Sequence, residues 1–245
     1  MTSTSRPDQH RPIVLVPGYW LGAWAWDEVV ELLNTAGSRA VGLTLPGLDP
    51  EDTQPTTRTL DDQADAISAI LDEMGGDAVL VGHSGANGPV SLVVDRHPEL
   101  VHRIVWVDSG PMSDGGAFAP DLPEETAELP LPDFDTLGKQ ASLEGLSNEH
   151  LDRFRARAVP EPAQVARARV ALSNSARHDV LTTLICCSIP SVQVLELAAA
   201  GNPMFSAVAH LTNFTAMDLP TGHWPMWSRP QELAEAIREA ATSTS

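Results

Sequence analysis

Residues 79–88 read Val79-Leu80-Val81-Gly82-His83-Ser84-Gly85-Ala86-Asn87-Gly88: an apolar run, a serine flanked by small residues, and the first turn of a helical pattern. A short run with apolar residues on both faces is the sequence form of a buried parallel strand, and the spacing from Ala86 to Arg96 is helical. A serine in a strand-to-helix turn of this kind sits in a strained backbone conformation that tolerates only small neighbours, here Gly82 and Ala86. The turn lifts Oγ above the sheet edge and leaves the N–H of Gly85 beside it. Ser84 is therefore the expected nucleophile, and Gly85 one expected backbone donor to an oxyanion. A helix-capping serine in an ordinary turn would look the same in isolation, so the surrounding chain has to decide.

Upstream, Ile13 to Val16 is a second buried strand, ended by Pro17-Gly18 and followed by a helix from Trp26 to Ala36 that stops at Gly37. Arg39 to Leu45 gives a further strand and Leu60 to Met74 a further helix. Ala78 to Val81 with Ala86 to Arg96 is the third unit, and Arg103 to Val107 the fourth strand. This alternation predicts an α/β fold, a mostly parallel sheet with helices on both faces. From Pro111 to about Arg177 the rhythm breaks into a proline-rich stretch with two helical segments, acidic in its first part and arginine-rich in its second. That stretch, 111–177, is the expected inserted lid, and a solvated surface accounts for its charge. Strand Thr182 to Ile189, helix Ser191 to His210, strand Asn213 to Leu219 and helix Gln231 to Ala241 complete one core, 12–110 with 178–241. Residues 1–11 are expected to be flexible, and the Thr/Ser-rich ends, Thr2 to Ser5 and Thr242 to Ser245, frayed.

With 33 acidic and 15 basic residues the formal charge is −18, so nucleic acid and anionic membrane surfaces are repelled at long range. The only lysine is Lys139, which leaves one candidate for Schiff-base chemistry and argues against it. Cys186 and Cys187 are adjacent in an apolar run; neither a disulfide framework nor a zinc site is expected, nor any other metal or cofactor. No signal-peptide core or membrane span is visible, so a cytoplasmic location is expected. A homodimer is admitted without being required.

The chemistry needs a base and an acid. His223 lies in Leu219-Pro220-Thr221-Gly222-His223-Trp224-Pro225, directly after the last strand, from which it can reach over the sheet to Ser84. An imidazole titrates near neutrality, so it can take the Oγ proton and return it to a leaving group. The acid commonly follows the strand that here ends in Ser188-Ile189-Pro190-Ser191, which holds no carboxylate. Asp108, in Trp106-Val107-Asp108-Ser109-Gly110, lies at the same sheet edge and is the preferred orienting acid, with Asp218, Asp114 and Glu196 as alternatives. The second oxyanion donor is expected in the turn Pro17-Gly18-Tyr19-Trp20: the N–H of Tyr19, with that of Trp20 in reserve. Trp20, His83, Trp106 and Trp224 are the candidate pocket residues, core packing being the competing explanation for the tryptophans.

Together the elbow, the glycine turn and the terminal Gly222-His223-Trp224-Pro225 resemble the α/β-hydrolase superfamily over roughly residues 12–241. Val14 to Trp26 looks like the start of its small, cofactor-free esterase and hydroxynitrile-lyase-like branch. The chain departs from the pattern at Pro17, where histidine is usual, at Ala86, where the elbow usually has glycine, and at the vacant acid position. That vacancy resembles the subset, including haloalkane dehalogenases and some lactonases, that carries the acid one strand earlier. The resemblance implies a serine hydrolase acting on a small apolar carboxylic ester or lactone through an acyl-enzyme. The alternatives are a cofactor-free lyase or C–C bond hydrolase on the same scaffold, and a silent small-molecule binder.

Overall fold

The structure is a computed structural model and describes residues 11–243. In chain order its elements are β1 (Pro12–Val16), α1 (Asp27–Thr35), β2 (Arg39–Gly42), α2 (Leu60–Glu73), β3 (Ala78–His83), α3 (Asn87–Arg96) and β4 (Val101–Val107). Then come β5 (Glu128–Leu129), α4 (Phe134–Gln140), α5 (Asn148–Arg157), β6 (Glu161–Pro162) and α6 (Ala163–Arg167). The chain closes with β7 (Leu181–Cys186), α7 (Ser191–Ala199), β8 (Phe214–Asp218), α8 (Pro225–Ser228) and α9 (Pro230–Thr242).

Six strands form one sheet in the order β2-β1-β3-β4-β7-β8, and every pairing in it is parallel. Because successive side chains alternate between faces, each strand feeds two cores. Val14, Leu80, Trp106 and Leu184 pack with Leu60, Ile67, Val90 and Val194 from α2, α3 and α7. Ile13, Leu15, Val81 and Val105 pack on the other side with Val29, Leu33, Leu233 and Ile237 from α1 and α9. Burial on both faces is why β1 and β3 read as unbroken apolar runs, whereas the edge strands β2 and β8 are partly exposed. The strand order reverses at β1, which has β2 on one side and β3 on the other, so a crevice opens at their carboxyl ends.

Several boundaries differ from expectation for local reasons. The helix from Ser191 ends at Ala199, because Gly201 takes a left-handed conformation (φ 72°) and Pro203 follows; only a 3-10 turn, Val208–His210, resumes it. The strand from Leu181 stops at Cys186, since the next two N–H groups bind Asp108 instead of a neighbouring strand. Thr242 is the last residue of α9, and the Ser243 carbonyl accepts from Arg103 Nη2 at 3.1 Å, so these two are not frayed. Arg11 pairs with Asp77 at 3.0 Å. The expectations for residues 1–10 and 244–245 lie outside the described residues.

Residues 111–177 carry α4, α5, α6 and the antiparallel ribbon β5/β6. Its arginines are not simply a solvated face. Arg153 donates to the Trp24 carbonyl at 2.8 Å, Arg157 stacks on the Trp24 ring at 4.7 Å, and Arg169 donates to Gly115 O at 2.8 Å. Arg177 binds Asp95 at 3.1 Å. The Arg153, Arg157 and Arg177 contacts tie the segment to the core, while the Arg169 bond links two parts of the segment itself.

Candidate active site

Ser84 follows the last residue of β3 with φ 52°, the left-handed conformation that costs a residue with a Cβ and that a tight strand-to-helix turn imposes. The turn survives because its surroundings leave no room for relaxation. A Cβ built on Gly18 would lie 2.7 Å from Ser84 Cβ and 3.0 Å from the His83 carbonyl oxygen; one on Gly85 would lie 2.5 Å from the Tyr19 ring. The Pro17–Tyr19 turn is thus laid directly against the elbow. Ser109 Oγ braces it further by donating to the Ser84 carbonyl at 3.0 Å.

Ser84 Oγ lies 2.7 Å from His223 Nε2, and His223 Nδ1 lies 2.6 Å from Asp108 Oδ2. An ionised Asp108 only accepts, so Nδ1 carries the proton, and Nε2 is left to accept from the serine hydroxyl. The backbone of His223 is pinned at both groups: its N–H donates to Ser142 O at 2.7 Å, and its carbonyl accepts from His83 Nε2 at 2.7 Å. His83 is 1% exposed, and burial, then the adjoining His223, lowers its pKa to about 3, so it is neutral.

Asp108 leaves β4 with φ 43° and is nearly buried. Its Oδ1 accepts from the N–H groups of Cys187 (3.0 Å) and Ser188 (2.8 Å), and its Oδ2 from Ser188 Oγ (2.6 Å) as well as His223. Burial alone would raise its pKa, but the bonds from His223 and Ser188 outweigh that and bring it to about 2. The alternatives are engaged elsewhere: Asp218 accepts from Ser191 at 2.7 Å, Asp114 accepts from Leu172 N–H at 2.8 Å, and Glu196 is on an exposed face of α7.

In the turn after β1, no carbonyl or side-chain acceptor among the described residues takes the Tyr19 N–H. The Tyr19 ring meets Phe118 with centroids 4.4 Å apart, and burial followed by the nearby Glu161 pushes its hydroxyl well above the usual tyrosine range. Trp20, left-handed at φ 67°, stays the reserve oxyanion donor.

The structure thus brings Ser84, His223, Asp108, Tyr19 and Gly85 together beyond the carboxyl end of β3 and disperses the expected pocket residues. His83 points into the α1/α9 core with its ring edge-on to Trp26, so it braces His223 instead of lining a pocket. Trp106 packs on the opposite face against Gly82 and lines a separate cavity of about 340 Å³, with Met112, Leu172 and His210, whose walls include none of Ser84, His223 and Asp108. Trp224 is buried edge-on to His223 and Phe154, as core packing dictates. Trp20 is partly exposed, its indole N–H donating to Leu129 O at 2.9 Å. Ser188, Ser142 and Glu161 were not singled out by the sequence; only Ser188 had a positional signal, at the end of the strand where an acid was sought. Cys186 is pushed up to about 12 by burial and by Asp218 and Asp108, and Cys187 is raised too, chiefly by burial, so neither is a thiolate nucleophile. Among the described residues no group of three or more His, Cys, Asp or Glu is placed to hold a metal ion, and no helix is long and apolar enough to cross a membrane.

A six-stranded parallel sheet with a strained serine after its third strand and a histidine after its last defines a class of enzyme scaffold, and comparison bears this out. Residues 13–236 match the alpha/beta hydrolase family, and the chain belongs to it. It is 29% identical over 113 residues to polyneuridine aldehyde esterase of Rauvolfia serpentina, covering 44% of this chain and 42% of that protein. Methylesterase 7 of Arabidopsis thaliana is 32% identical over 120 residues, 47% of this chain and 43% of its own. The chain spans less than half the length of these relatives in the matched region. An extracellular α/β-hydrolase from a Paenibacillus species, described as sharing structural and functional homology with tobacco salicylic acid binding protein 2, superposes with a TM-score of 0.76. It is 20% identical, with 95% of this chain and all of that one covered, a likeness of fold.

Proposed function

We propose that the chain is a serine esterase that cleaves small apolar carboxylic esters or lactones through an acyl-enzyme. The observation that carries this is the hydrogen-bonded line Ser84 Oγ, His223 Nε2, His223 Nδ1, Asp108 Oδ2, with links of 2.7 and 2.6 Å. The esterase names of the relatives support it.

In this reading Ser84 Oγ forms a bond to the carbonyl carbon as its proton passes to His223 Nε2, and the carbonyl electron pair moves onto oxygen. The N–H groups of Tyr19 and Gly85 receive that oxyanion; each such donor is worth about 3–4 kcal/mol in the transition state. Collapse expels the alkoxide, which takes the proton from His223. Water, deprotonated by the same nitrogen, then attacks the acyl carbon and releases the acid and Ser84. Asp108 stays ionised throughout, holding the tautomer and stabilising the imidazolium. The Tyr19 and Phe118 rings offer an apolar, aromatic-accepting wall beside the serine. The net charge of −18 favours neutral substrates over polyanionic ones.

The test is intact-protein mass after incubation with a fluorophosphonate, for wild type and Ser84→Ala, alongside a panel of short esters and lactones. One adduct per chain in wild type only, with ester turnover, is the expected result. A folded wild type that neither labels nor turns over any ester overturns the reading.

A further inference from the structure

The cavity at Trp106 takes no part in the proposed chemistry, yet it is built from four parts of the chain. Its floor is the sheet: Ile104 and Trp106 lie on one face of β4, and Thr182 pairs with Ile104 from β7. One wall is Ser91 and Val94 of α3, a helical turn apart, and the facing wall is Ala207, His210 and Leu211 beyond α7. The mouth is formed by the two ends of the insertion, with Met112 and Asp114 at its start and Leu172 and Arg177 at its end. The volume, about 340 Å³, lies at the small end of ligand pockets, which run from roughly 300 to 1,000 Å³. Trp106 also packs on Gly82, where an added Cβ would lie 3.0 Å from its ring, so one indole borders both the cavity and the strand that leads to Ser84.

The groups around this space are bonded to one another, which holds it open. Met112 N–H donates to Ser91 Oγ at 3.0 Å, Asp114 accepts from Leu172 N–H at 2.8 Å, and the Ser113 and Ser206 hydroxyls lie 2.9 Å apart. Arg177 is held by Asp95 at 3.1 Å and by the Asn174 carbonyl at 2.7 Å. The imidazoles of His178 and His210 are different: their centroids are 6.1 Å apart, and neither ring has a hydrogen bond among the described residues. Burial, then Arg177 and His210, hold His178 below the usual histidine range, so it is neutral at pH 7. A neutral imidazole offers one donor and one acceptor, the complement of a hydroxyl. Charge selects against a carboxylate, because Asp95 neutralises Arg177 and Asp114 leaves a negative group at the mouth.

We propose that this cavity is a second ligand site, for a neutral, apolar molecule about the size of two fused rings that carries a hydroxyl. The rings sit against Trp106, and the hydroxyl lies between His178 and His210. The site is independent of the esterase reading, and its test does not use turnover.

The test is titration calorimetry of the full chain at pH 7 with 6-bromo-2-naphthol and with 6-bromo-2-naphthoate, for wild type, Ala207→Trp and His210→Ala. The naphthol binds wild type at one site, and the naphthoate binds about tenfold more weakly or not at all. Ala207→Trp fills the cavity and abolishes binding. His210 is exposed, so His210→Ala keeps the fold, and it weakens the naphthol by about three- to tenfold. In crystals soaked with the naphthol, the bromine anomalous signal falls between Trp106, Leu172 and Leu211. No binding to wild type, a naphthoate that binds as well as the naphthol, unchanged affinity in His210→Ala, or bromine only beside Ser84 overturns the proposal.

Discussion

The hydroxyl of Ser188 donates to Asp108 Oδ2 at 2.6 Å, the same oxygen that faces His223 Nδ1 at 2.6 Å. The position after β7, which holds no acid, is therefore a receptor for one: the Cys187 and Ser188 N–H groups and the Ser188 hydroxyl bind a carboxylate delivered from β4. Moving the acid one strand along keeps its location because the recipient strand gives up two ladder N–H groups to fix it. Hydrogen bonds to a charged group are worth about 1.5–3 kcal/mol, and part of that is expressed in the orientation of His223.

Ser188→Ala is therefore expected to lower kcat for ester hydrolysis about tenfold, since two backbone donors remain on Oδ1. Asp108→Asn is expected to lower it by about four orders of magnitude through the wrong imidazole tautomer, with circular dichroism unchanged. Steady-state kinetics on both variants checks the ranking. Equal, small losses would mean that neither residue orients His223.

Gly18→Ala tests the contact between the glycine turn and the elbow. The new methyl would lie 2.7 Å from Ser84 Cβ and 3.0 Å from His83 O, neither of which is a flexible side-chain end. The turn must lift, and the Tyr19 N–H with it, so kcat is expected to fall on the order of 100-fold with a smaller change in KM. A crystal structure of the variant should show the turn displaced from Ser84. Wild-type kcat with the turn displaced would remove Tyr19 from the oxyanion site.

The parts of this arrangement that were legible in the sequence are those that follow from short-range pattern. Ser84 and Asp108 sit at the ends of apolar runs, and His223 sits in the loop directly after the last strand, where strand, turn and chemistry share one local signature. Glu161 and Ser142 carry no such signature. They are single polar letters in a segment whose path is set by tertiary contacts such as His223 N–H to Ser142 O. His83 was noticed only for its neighbour; strand alternation from Val79 and Val81 already assigned it to the core face opposite Trp106, and that parity was the available clue. The helix drawn to His210 failed because apolar spacing continues past Gly201, while the glycine ends the helix.

His83 gives a pH dependence of stability on the acid side. Its folded pKa, about 3, is depressed below the ordinary histidine value by burial first and by His223 next. The unfolded chain takes a proton near pH 6.5 that the folded chain refuses, so stability is full above that pH and falls as pH drops toward 3. His102 and His178, also lowered chiefly by burial, act in the same direction. Asp108, brought to about 2 by His223 and Ser188 against the cost of burial, contributes only below the ordinary carboxylate range. Urea midpoints between pH 7 and 4.5 should thus decline, and His83→Gln should make the decline shallower. An identical slope in the variant would mean that His83 is protonated in the folded protein.

Glu161 has the opposite sign. Its folded pKa, raised to about 8 chiefly by burial, lies above the unfolded value near 4.5. The folded chain keeps a proton that the unfolded chain releases, so this contribution is complete at or below pH 4.5 and is lost as pH rises through about 8. Glu161→Gln retains a neutral group of the same shape and has nothing to titrate. The Tm of that variant minus the Tm of wild type should therefore grow from pH 5 to pH 8 and level off above it, measured by calorimetry in the full chain. Because the readout is folding and not turnover, it bears on the charge state of Glu161 whether or not an ester substrate is found. A difference that stays flat across this range would mean that Glu161 is already ionised at neutral pH.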